Sequence, residues 1–460
     1  MKVVKPPSPL EAKQDITLAS AAKLALDQKV SGAKYLHYDQ LRHRVASTQA
    51  LDELWLGLHF ARMLSAKWLD LKMEGDAQLL SPTPKINITS VMQKSCSIVD
   101  RLTSSAAESE RHEKFNADNY LMTELTAAES IASSQLEGAA TTSHVALEMI
   151  KLGRHPRDDS EKMIMGNYRM MQYVSERGAR PFDVKELLHL QSVAVGGIDD
   201  NRYSPGELRR TTDDVVVVDH EQNILHTPLA AEYLEPALKQ LCAFINTPHE
   251  TAEDESYLHP LVKAAIIHFM IGYLHPFRDG NGRTARALFY WYMLKCGYSA
   301  FRYISISKLL KNAPAKYVRA YLYTETDELD LTYFVDYQCE IVSRAVKDYT
   351  DYIKDLLKTR GELANWLYST GLADNVNTRQ LALATTAIQN PGVIFTAAEV
   401  AQQMNVSDNT ARDDLKKLTE LGLMRSMKEG KGNVYLSPKS LQELKKWRGN
   451  KGQQPSAQDW

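Results

Sequence analysis

Twelve consecutive residues, His275-Pro276-Phe277-Arg278-Asp279-Gly280-Asn281-Gly282-Arg283-Thr284-Ala285-Arg286, bring a histidine, a carboxylate, two glycines and several arginines into one short segment. The runs on either side of it, Leu261 to Leu274 and Ala285 to Leu294, are apolar on nearly all faces at helical spacing, which predicts two buried helices. A polar, glycine-rich connector between buried helices is costly unless its polar groups find partners. The segment therefore indicates a binding site for a polyanion.

The glycines and the last two arginines of this segment favour an anion site. Gly280 and Gly282 permit a close approach of the backbone to a ligand. With the second helix beginning beside them, the amides around Gly280 to Arg283 lie at a helix N-terminus, where anions bind. Arg283 and Arg286 are three residues apart, so both side chains reach the same side of that helix.

The histidine and the aspartate supply the remaining chemistry of such a site. His275 is the group in the segment that can take up a proton near neutral pH, and Pro276 predicts extended backbone at His275 and a helix that ends there. Asp279 is a hard oxygen ligand suited to Mg²⁺, which takes one or two carboxylates together with phosphate oxygens and water. The segment thus predicts a site for a magnesium nucleotide with a base beside it.

The same segment resembles the signature of the Fic (filamentation induced by cAMP) family, His-x-Phe-x-Asp/Glu-Gly-Asn-Gly-Arg-x-x-Arg, at every specified position. The similarity extends from about Glu129 to Asp336. It implies a protein adenylyltransferase, which binds ATP with Mg²⁺, moves AMP to a Ser, Thr or Tyr hydroxyl of a target protein and releases pyrophosphate. The chain itself is one candidate target, and a homodimer is one candidate assembly.

The resemblance implies a role for each residue of the signature. His275 would deprotonate the attacking hydroxyl, and Asp279 would hold the metal that bridges the α- and β-phosphates. The phosphate contacts would come from the rest of the signature: Asn281 at the α-phosphate, the Gly280 and Gly282 amides at the anion site, Arg283 at the outer phosphates and Arg286 at the γ-phosphate. The adenine contacts are expected, at looser spacing, from Asn312 and Tyr317.

A second pattern, Ser133-x-x-x-Glu137-Gly138, matches the inhibitory motif Ser/Thr-x-x-x-Glu-Gly/Asn of the same family, and its glycine predicts the end of a helix. The resemblance implies that Glu137 pairs with Arg286 and occupies the space of the γ-phosphate. A bidentate pair between arginine and a carboxylate is strong, so its loss would free the arginine for phosphate. The alternative is a glutamate that faces solvent at a helix end.

One hairpin is predicted in a sequence with few strand signals. Val215 to Val218 form its first strand, residues 219–223 its polar turn, and Ile224 to His226 its second strand. An exposed strand edge beside the site would hold a target segment by main-chain pairing. An ordinary surface hairpin is the alternative.

Helical periodicity dominates the rest of the sequence, so the expected fold class is mainly α. With the resemblance, this becomes a Fic-type helical core with a β-hairpin flap, followed by a winged helix-turn-helix domain. The expected divisions are an N-terminal helical region at 1–115, the Fic core at 116–345 with its inhibitory helix near 126–138, connecting helices and a linker at 346–390, the winged helix at 391–440 and a tail at 441–460. The end of that tail, from Asn450, has a composition typical of disorder.

The C-terminal module is predicted as two helices and a wing. Thr396 to Ala401 begins the first helix, Ser407 is a suitable N-cap for a second helix that runs to Leu418, and Leu423 to Tyr435 would form the wing. Such a second helix often enters the major groove of DNA. DNA binding and protein docking both stay open, however, because its basic residues are offset by acids: Arg412, Lys416 and Lys417 against Asp408, Asp413 and Asp414.

The composition of the whole chain excludes several classes of protein. A net charge of −2 over 460 residues gives no general attraction to nucleic acid or to an anionic membrane. The longest strongly apolar run, Ala264 to Leu274, is too short to cross a bilayer, and Met1 to Pro7 lacks the apolar core of a secretion signal. Four scattered cysteines without metal-ligand spacing indicate reduced thiols and hence a cytoplasmic protein.

Two other functions fit the same residues. The same fold would remove AMP from a modified protein if Glu137 positioned a water molecule. Alternatively, the core would sense a nucleotide without transferring it, and the winged helix would regulate transcription. The intact His275 argues against the second of these.

Overall fold

The computed structural model describes residues 3–7, 34–45, 47–71, 83–105, 119–200, 203–219, 221–389, 394–429, 432–438 and 440–449. Their chain is mainly helical with a few short antiparallel strands, which confirms the expected fold class. The tail expected to be disordered from Asn450 lies outside the described residues. The chain divides into two compact units, one of residues 1–105, 129–141 and 156–346 and one of residues 106–128, 142–155 and 347–460.

The helices, numbered along the chain, are α1 (Tyr38–Leu41), α2 (Thr48–Ser65), α3 (Ser90–Thr103), α4 (Asn119–Leu136), α5 (Ser143–Lys151), α6 (Asp159–Glu176), α7 (Val184–Val195), α8 (Leu234–Asn246), α9 (Pro260–Leu274), α10 (Asn281–Lys295), α11 (Ser307–Asn312), α12 (Pro314–Thr326), α13 (Thr332–Ser369), α14 (Thr378–Gln389), α15 (Ala397–Met404), α16 (Asp408–Glu420) and α17 (Leu441–Gly449). The strands are β1 (Lys67–Trp68), β2 (Lys85–Ile86), β3 (Val217–Val218), β4 (Ile224–His226), β5 (Ile394–Phe395), β6 (Arg425–Glu429) and β7 (Gly432–Leu436). Among the helices described, none is both long and apolar enough to span a bilayer.

Two buried helices form the core of the first unit, as the runs beside the signature predict. In α9 Pro260 occupies the first turn, where its missing N–H is not needed. Every side chain from Pro260 to Ile271 is buried, and so is nearly all of α10. α10 begins directly after its N-cap residue Gly280, which has a left-handed φ of 86°. The signature loop therefore joins two helices whose positions are set by the core.

α9 ends where Pro276 predicts, but His275 is not extended. It has φ 47° and ψ 57°, the left-handed conformation, and its N–H donates to the Ile271 carbonyl oxygen at 3.0 Å. A left-handed residue closes a helix C-terminus with one further hydrogen bond, whereas a following proline disfavours only the right-handed helical region. The expectation of extended backbone at His275 was wrong for this reason.

Two further helices form the wall beside the signature loop. Gly166 lets α6 approach α7 closely, because a Cβ at this position would overlap the Ala194 carbonyl group. From α7, Gln191 reaches the loop and donates to the carbonyl oxygen of Asp279 at 3.1 Å. The loop is therefore held on one side by α7 as well as by the helices that it joins.

The hairpin is smaller than the sequence predicts. Val217–Val218 pair with Ile224–His226 through an irregular register, so two of the four valines belong to β3. Val215 instead closes a turn by donating its N–H to the Asp213 carbonyl oxygen at 3.0 Å. The carboxylate of Asp219 holds the polar turn by accepting main-chain N–H groups. The predicted position of the hairpin is correct, and the predicted length of its first strand was wrong.

The second unit contains the winged helix. Thr396 and Ser407 cap α15 and α16 by accepting hydrogen bonds from the N–H groups of Glu399 and Thr410. The wing comes from an antiparallel sheet in the order β5-β7-β6. These elements confirm the predicted order of helix, turn, helix and hairpin.

The charge balance of α16 differs from the expected one at a single residue. Asp414 is 4% exposed and accepts hydrogen bonds from Asn377, Arg379 and Gln380, so it joins α16 to the segment before it. It does not offset the basic residues on the solvent side. Asp414 was expected to offset the basic residues, and this was wrong because Asp414 lies on the face of α16 that packs inward.

Candidate active site

The candidate base lies at the C-terminal end of α9. His275 Nδ1 is 3.3 Å from the Gly272 carbonyl oxygen. Because a carbonyl oxygen only accepts, this contact assigns the proton to Nδ1 and leaves the lone pair on Nε2. Tyr321 packs over Gly272, where an added Cβ would overlap its hydroxyl group. The position of the Gly272 carbonyl, and with it the orientation of the imidazole, is therefore set by packing.

The imidazole of His275 is neutral at pH 7. Burial lowers its pKa to about 4, and the nearby cation Arg209 acts in the same direction while Glu137 opposes it. The side chain is only half-buried, however, so Nε2 can still be approached. His275 is therefore ready to accept a proton at neutral pH.

Asn281 holds the signature loop together. Its side-chain Oδ1 accepts the N–H of Phe277 at 2.9 Å, and its Nδ2 donates to the carbonyl oxygen of the same residue at 2.8 Å. Phe277 is fully buried and anchors the loop in the core. A primary amide carries two N–H donors, so one hydrogen of Nδ2 is left for the α-phosphate contact that the resemblance implies.

The two glycines of the signature make room at the start of α10. An added Cβ on Gly280 would be 3.0 Å from Val195 Cγ1, and one on Gly282 would overlap the Glu137 carboxylate. The first N–H groups of a helix have no partner within it and point outward at its N-terminus. A side chain at either glycine would cover them. The loop and the start of α10 therefore form the geometry of an anion site.

Arg283 forms one side of this site. It is fully buried, donates through Nη1 to the Ala194 carbonyl oxygen at 3.1 Å and through Nη2 to Asp279 Oδ1 at 2.9 Å. Its Nε is buried without a hydrogen-bond partner among the described residues. An unpaired buried donor is costly unless a ligand completes it. Such a donor suits a phosphate oxygen.

Asp279 fits the metal ligand that the sequence predicts, with phosphate oxygens and water completing the set. Its side chain is 40% exposed, which leaves the carboxylate accessible, and burial of the rest raises its pKa although Arg283 opposes this. The described residues contain no group of three side chains that would hold a metal alone. A single carboxylate is nevertheless enough for Mg²⁺ that arrives with a nucleotide.

Arg286 is paired with the predicted inhibitory motif. It is 1% exposed, and its Nη2 is 2.7 Å from Glu137 Oε1. Ser133 contributes two acceptors: Oγ takes the N–H of Arg286 Nε at 2.8 Å, and the carbonyl oxygen takes that of Nη2 at 3.2 Å. Nη1 is buried without a hydrogen-bond partner in the described chain. The ion pair that the resemblance implied is thus present.

The turn at the end of α4 places Glu137 in this position. Gly138 has a left-handed φ of 98°, and the Ala139 N–H donates to the Ser134 carbonyl oxygen at 3.0 Å, so the helix stops where the glycine predicts. Burial alone would raise the pKa of Glu137, but Arg286 holds it below its ordinary value. Glu137 is therefore ionised at neutral pH and acts as an anion in the site.

A buried carboxylate in the same helix was not predicted. Glu129 is 3% exposed and accepts hydrogen bonds from Ser305 Oγ at 2.8 Å, from the Ser307 N–H at 3.0 Å and from Ser307 Oγ. It lies on α4 eight residues before Glu137, which follows the last residue of that helix. That spacing was the available signal. Glu129 fastens α4 to the start of α11.

The two residues expected at the adenine differ in burial. Tyr317 is half-buried on α12, and its hydroxyl group is 2.8 Å from His268 Nε2. Burial raises its pKa, and the charge of Arg286 acts against this rise, so the two side chains are within electrostatic range. Asn312 is exposed at the last position of α11. The adenine roles of both residues stay a prediction.

Comparisons with known proteins match two segments of the chain to family models. The Fic/DOC family model matches residues 181–293, and the model of a DeoR-like helix-turn-helix domain matches residues 388–430. Protein adenylyltransferase Fic of Drosophila yakuba is 30% identical over 142 residues, which are 30% of this chain and 26% of that protein. The protein of the same name from Nematostella vectensis is 42% identical over 73 residues, 16% of each chain. The chain thus matches about a quarter or less of the length of these relatives.

A solved structure supports the fold. A Fic family protein from Desulfovibrio desulfuricans G20 has a TM-score of 0.50 at 18% sequence identity, with 78% of this chain and 99% of that chain covered. Identity at this level shows the fold alone. Together, the family models show a Fic/DOC segment at residues 181–293 and a DeoR-like helix-turn-helix segment at residues 388–430, and the fold is similar to that of a solved Fic family protein.

Proposed function

We propose that the protein transfers AMP from ATP to a Ser, Thr or Tyr hydroxyl of a target protein, and that Glu137 restrains this reaction. The observation that carries the proposal is the neutral His275 beside a helix N-terminus with two buried arginines. The relatives named protein adenylyltransferase support ATP as donor and a protein as acceptor. All four cysteines are free thiols, which fits a reducing cytoplasm.

The triphosphate would be bound by groups that lack partners. Arg283 Nε and Arg286 Nη1 are buried donors without hydrogen bonds in the described chain, and both lie on the first turns of α10. The N–H groups at the start of α10 add a positive end to the same site. Asp279 would hold Mg²⁺, which would supply charge neutralisation at the phosphates when bound.

The transfer needs a base and a positioned donor. The hydroxyl oxygen attacks the α-phosphorus while the hydroxyl proton moves to Nε2 of His275. The bond between the α-phosphorus and the oxygen that bridges to the β-phosphate breaks, and pyrophosphate leaves. A triphosphate beside the ring favours the charged imidazole, which would raise the pKa of His275 from about 4 and strengthen it as a base.

The restraint follows from competition for one arginine. Glu137 is bound to Arg286 Nη2, and its carboxylate lies against Gly282 at the start of α10. A γ-phosphate that uses Arg286 would have to displace this carboxylate, since both are anions that need the same donors. ATP would then bind in a position that does not lead to transfer as long as Glu137 stays in place.

The hairpin would hold the target. Val218 is 38% exposed and Ile224 is 64% exposed, so β3 and β4 present apolar side chains and a short strand edge to solvent. A target segment that pairs with such an edge is held mainly through its backbone, with little demand on its sequence. This arrangement would place a hydroxyl side chain of the segment near His275.

Mass spectrometry of the Glu137→Gly protein tests the reaction. After incubation with ATP and Mg²⁺, we expect the intact mass to rise by one AMP through self-labelling, and the gain to be absent without ATP. The doubly substituted Glu137→Gly, His275→Ala protein is the control for non-enzymatic adducts. An unchanged mass in the Glu137→Gly protein, with ATP binding shown by calorimetry, would count against AMP transfer and favour nucleotide sensing.

The winged helix gives a second candidate partner, duplex DNA. The match to a DeoR-like helix-turn-helix domain favours it, and α16 exposes Asn409, Arg412 and Lys416, residue types that read base edges or contact phosphates. Asp408 and Asp413 are exposed on the same helix, so we expect weak, strongly salt-dependent binding. The full chain should retard a labelled duplex at low salt. An Arg412→Glu protein that retards it equally would contradict this.

A further inference from the structure

The C-terminal end of α9 is fully hydrogen-bonded, although the last four carbonyl groups of a helix have no partners within it. The donors come from three places along the chain: the His275 N–H to the Ile271 oxygen (3.0 Å), His275 Nδ1 to the Gly272 oxygen (3.3 Å), His226 Nε2 to the Tyr273 oxygen (2.7 Å) and Arg209 Nη2 to the Leu274 oxygen (3.4 Å). The helix end that carries the base is therefore held by two residues outside the signature, Arg209 and His226.

Arg209 makes further contacts beyond the helix end. Its Nε donates to the His275 carbonyl oxygen at 2.8 Å, its main-chain N–H donates to the Pro276 carbonyl oxygen at 2.9 Å, and Nη2 also donates to the Leu229 carbonyl oxygen. Arg209 is 6% exposed. Arg209 thus binds the backbone around the peptide that joins His275 to Pro276, with its side chain at Leu274 and His275 and its main-chain N–H at Pro276.

The charge of Arg209 has an unusual setting. A buried guanidinium ordinarily pairs with a carboxylate, yet the side-chain hydrogen bonds of Arg209 in the described chain go to carbonyl oxygens, and burial lowers its pKa. A cation is favourable at a helix C-terminus, where the carbonyl dipoles point at it. The positive charge of the guanidinium therefore compensates the partial negative charge at the C-terminus of α9.

The same two residues mark the two ends of the flap. Arg209 precedes β3 by eight residues, and His226 is the last residue of β4. His226 Nδ1 is also 2.8 Å from Glu325 Oε2 on α12. Both ends of the segment that contains the hairpin are thus attached to residues 273–276. The hairpin and the base form one connected structure.

We propose that Arg209 is a positioning residue for His275, and that with His226 it fixes the flap and the base in one geometry. The inference rests on the proposed function, since it assigns the flap to target binding and His275 to proton transfer. A base has to lie within hydrogen-bond reach of the proton that it removes. Loss of the Arg209 side chain would release the Leu274 and His275 carbonyl groups and separate the base from the docked hydroxyl.

Kinetics of self-labelling in the Glu137→Gly protein test this. We expect Arg209→Ala to lower kcat by about 100-fold, because a displacement of about 1 Å in an active site costs about that factor, and to leave ATP affinity unchanged. Arg209→Lys should recover part of the rate, since one N–H donor and the charge remain. Arg210→Ala is the matched control: Arg210 is 64% exposed and pairs with Glu207. A folded Arg209→Ala protein with the kcat of this control overturns the inference.

A second measurement does not depend on transfer. NMR titration of ¹³C-labelled histidine follows His275 directly, and its midpoint should rise from about 4 in the Arg209→Ala protein as the ring gains solvent and loses a nearby cation. If the Glu137→Gly parent does not self-label at all, the proposed function fails, and this titration still decides the positioning role. An unchanged His275 midpoint in Arg209→Ala and in Arg209→Lys overturns it.

Discussion

Replacing His275 with alanine in the Glu137→Gly protein is expected to lower the rate of AMP transfer by about 10²–10⁴-fold, because a positioned general base contributes about that factor. The structure leaves the lone pair on Nε2 by engaging Nδ1 with the Gly272 carbonyl oxygen. The ring is neutral at pH 7, so the substitution removes an imidazole that is in the protonation state able to accept the proton. A smaller effect would mean that solvent or the phosphates take the proton.

The measurement is the initial rate of self-labelling with radiolabelled ATP at saturating concentration. Affinity for ATP should stay within about twofold, since binding rests on α10 and its arginines and a change of that size is below about 0.5 kcal/mol. His189→Ala is a matched control, because His189 is exposed on α7 and does not belong to the signature. Equal rates in the His275→Ala and His189→Ala proteins would remove His275 from the mechanism.

The second large effect is expected from Glu137→Gly in the otherwise unchanged chain, which should raise transfer by about 10- to 100-fold. A hydrogen bond to a charged group is worth about 1.5–3 kcal/mol, and the carboxylate holds Arg286 at 2.7 Å in the resting protein. Its removal frees Nη2 for the γ-phosphate. Without ATP, the free energy of unfolding should fall, because the buried Arg286 guanidinium loses its carboxylate partner, and bound ATP should offset part of this loss.

Three variants separate the charge from the backbone in this effect. Glu137→Gln keeps the volume and removes the charge, so we expect a rate between those of the wild type and Glu137→Gly. Glu148→Gln changes an exposed glutamate of α5 in the same way and should leave the rate unchanged. Ser133→Ala removes one acceptor from Arg286 but leaves the carboxylate, so it should raise the rate less than Glu137→Gly. If wild type and Glu137→Gly label equally at several ATP concentrations, Glu137 is not a brake.

Much of the local structure could be predicted from the residues. Apolar periodicity predicted α9 and α10, Gly138 predicted the end of α4, and Ser407 predicted the start of α16, since each depends on the backbone within one or two turns. The polyanion site that the signature predicted stays a prediction. The pairing of Glu137 with Arg286 came from the family resemblance, because the two residues are far apart in the sequence.

Other features could not be obtained in this way. The sequence predicted an extended His275, but the need to close α9 makes it left-handed. Periodicity alone did not show that Asp414 faces inward. The sequence assigned no contacts to Glu129 and Arg209, yet both are buried against partners that come from distant segments. Their roles depend on which segments pack together.

The sequence by itself therefore determined the chemical groups of the site and the helices that present them, since residue type and local backbone preference are properties of neighbouring residues. Only the tertiary structure decided which of these groups are paired. Burial sets the protonation of His275, and packing brings Glu137 to Arg286 and Arg209 to the end of α9. These contacts join segments that are far apart in the sequence, and the buried environment that makes them strong exists only in the folded chain.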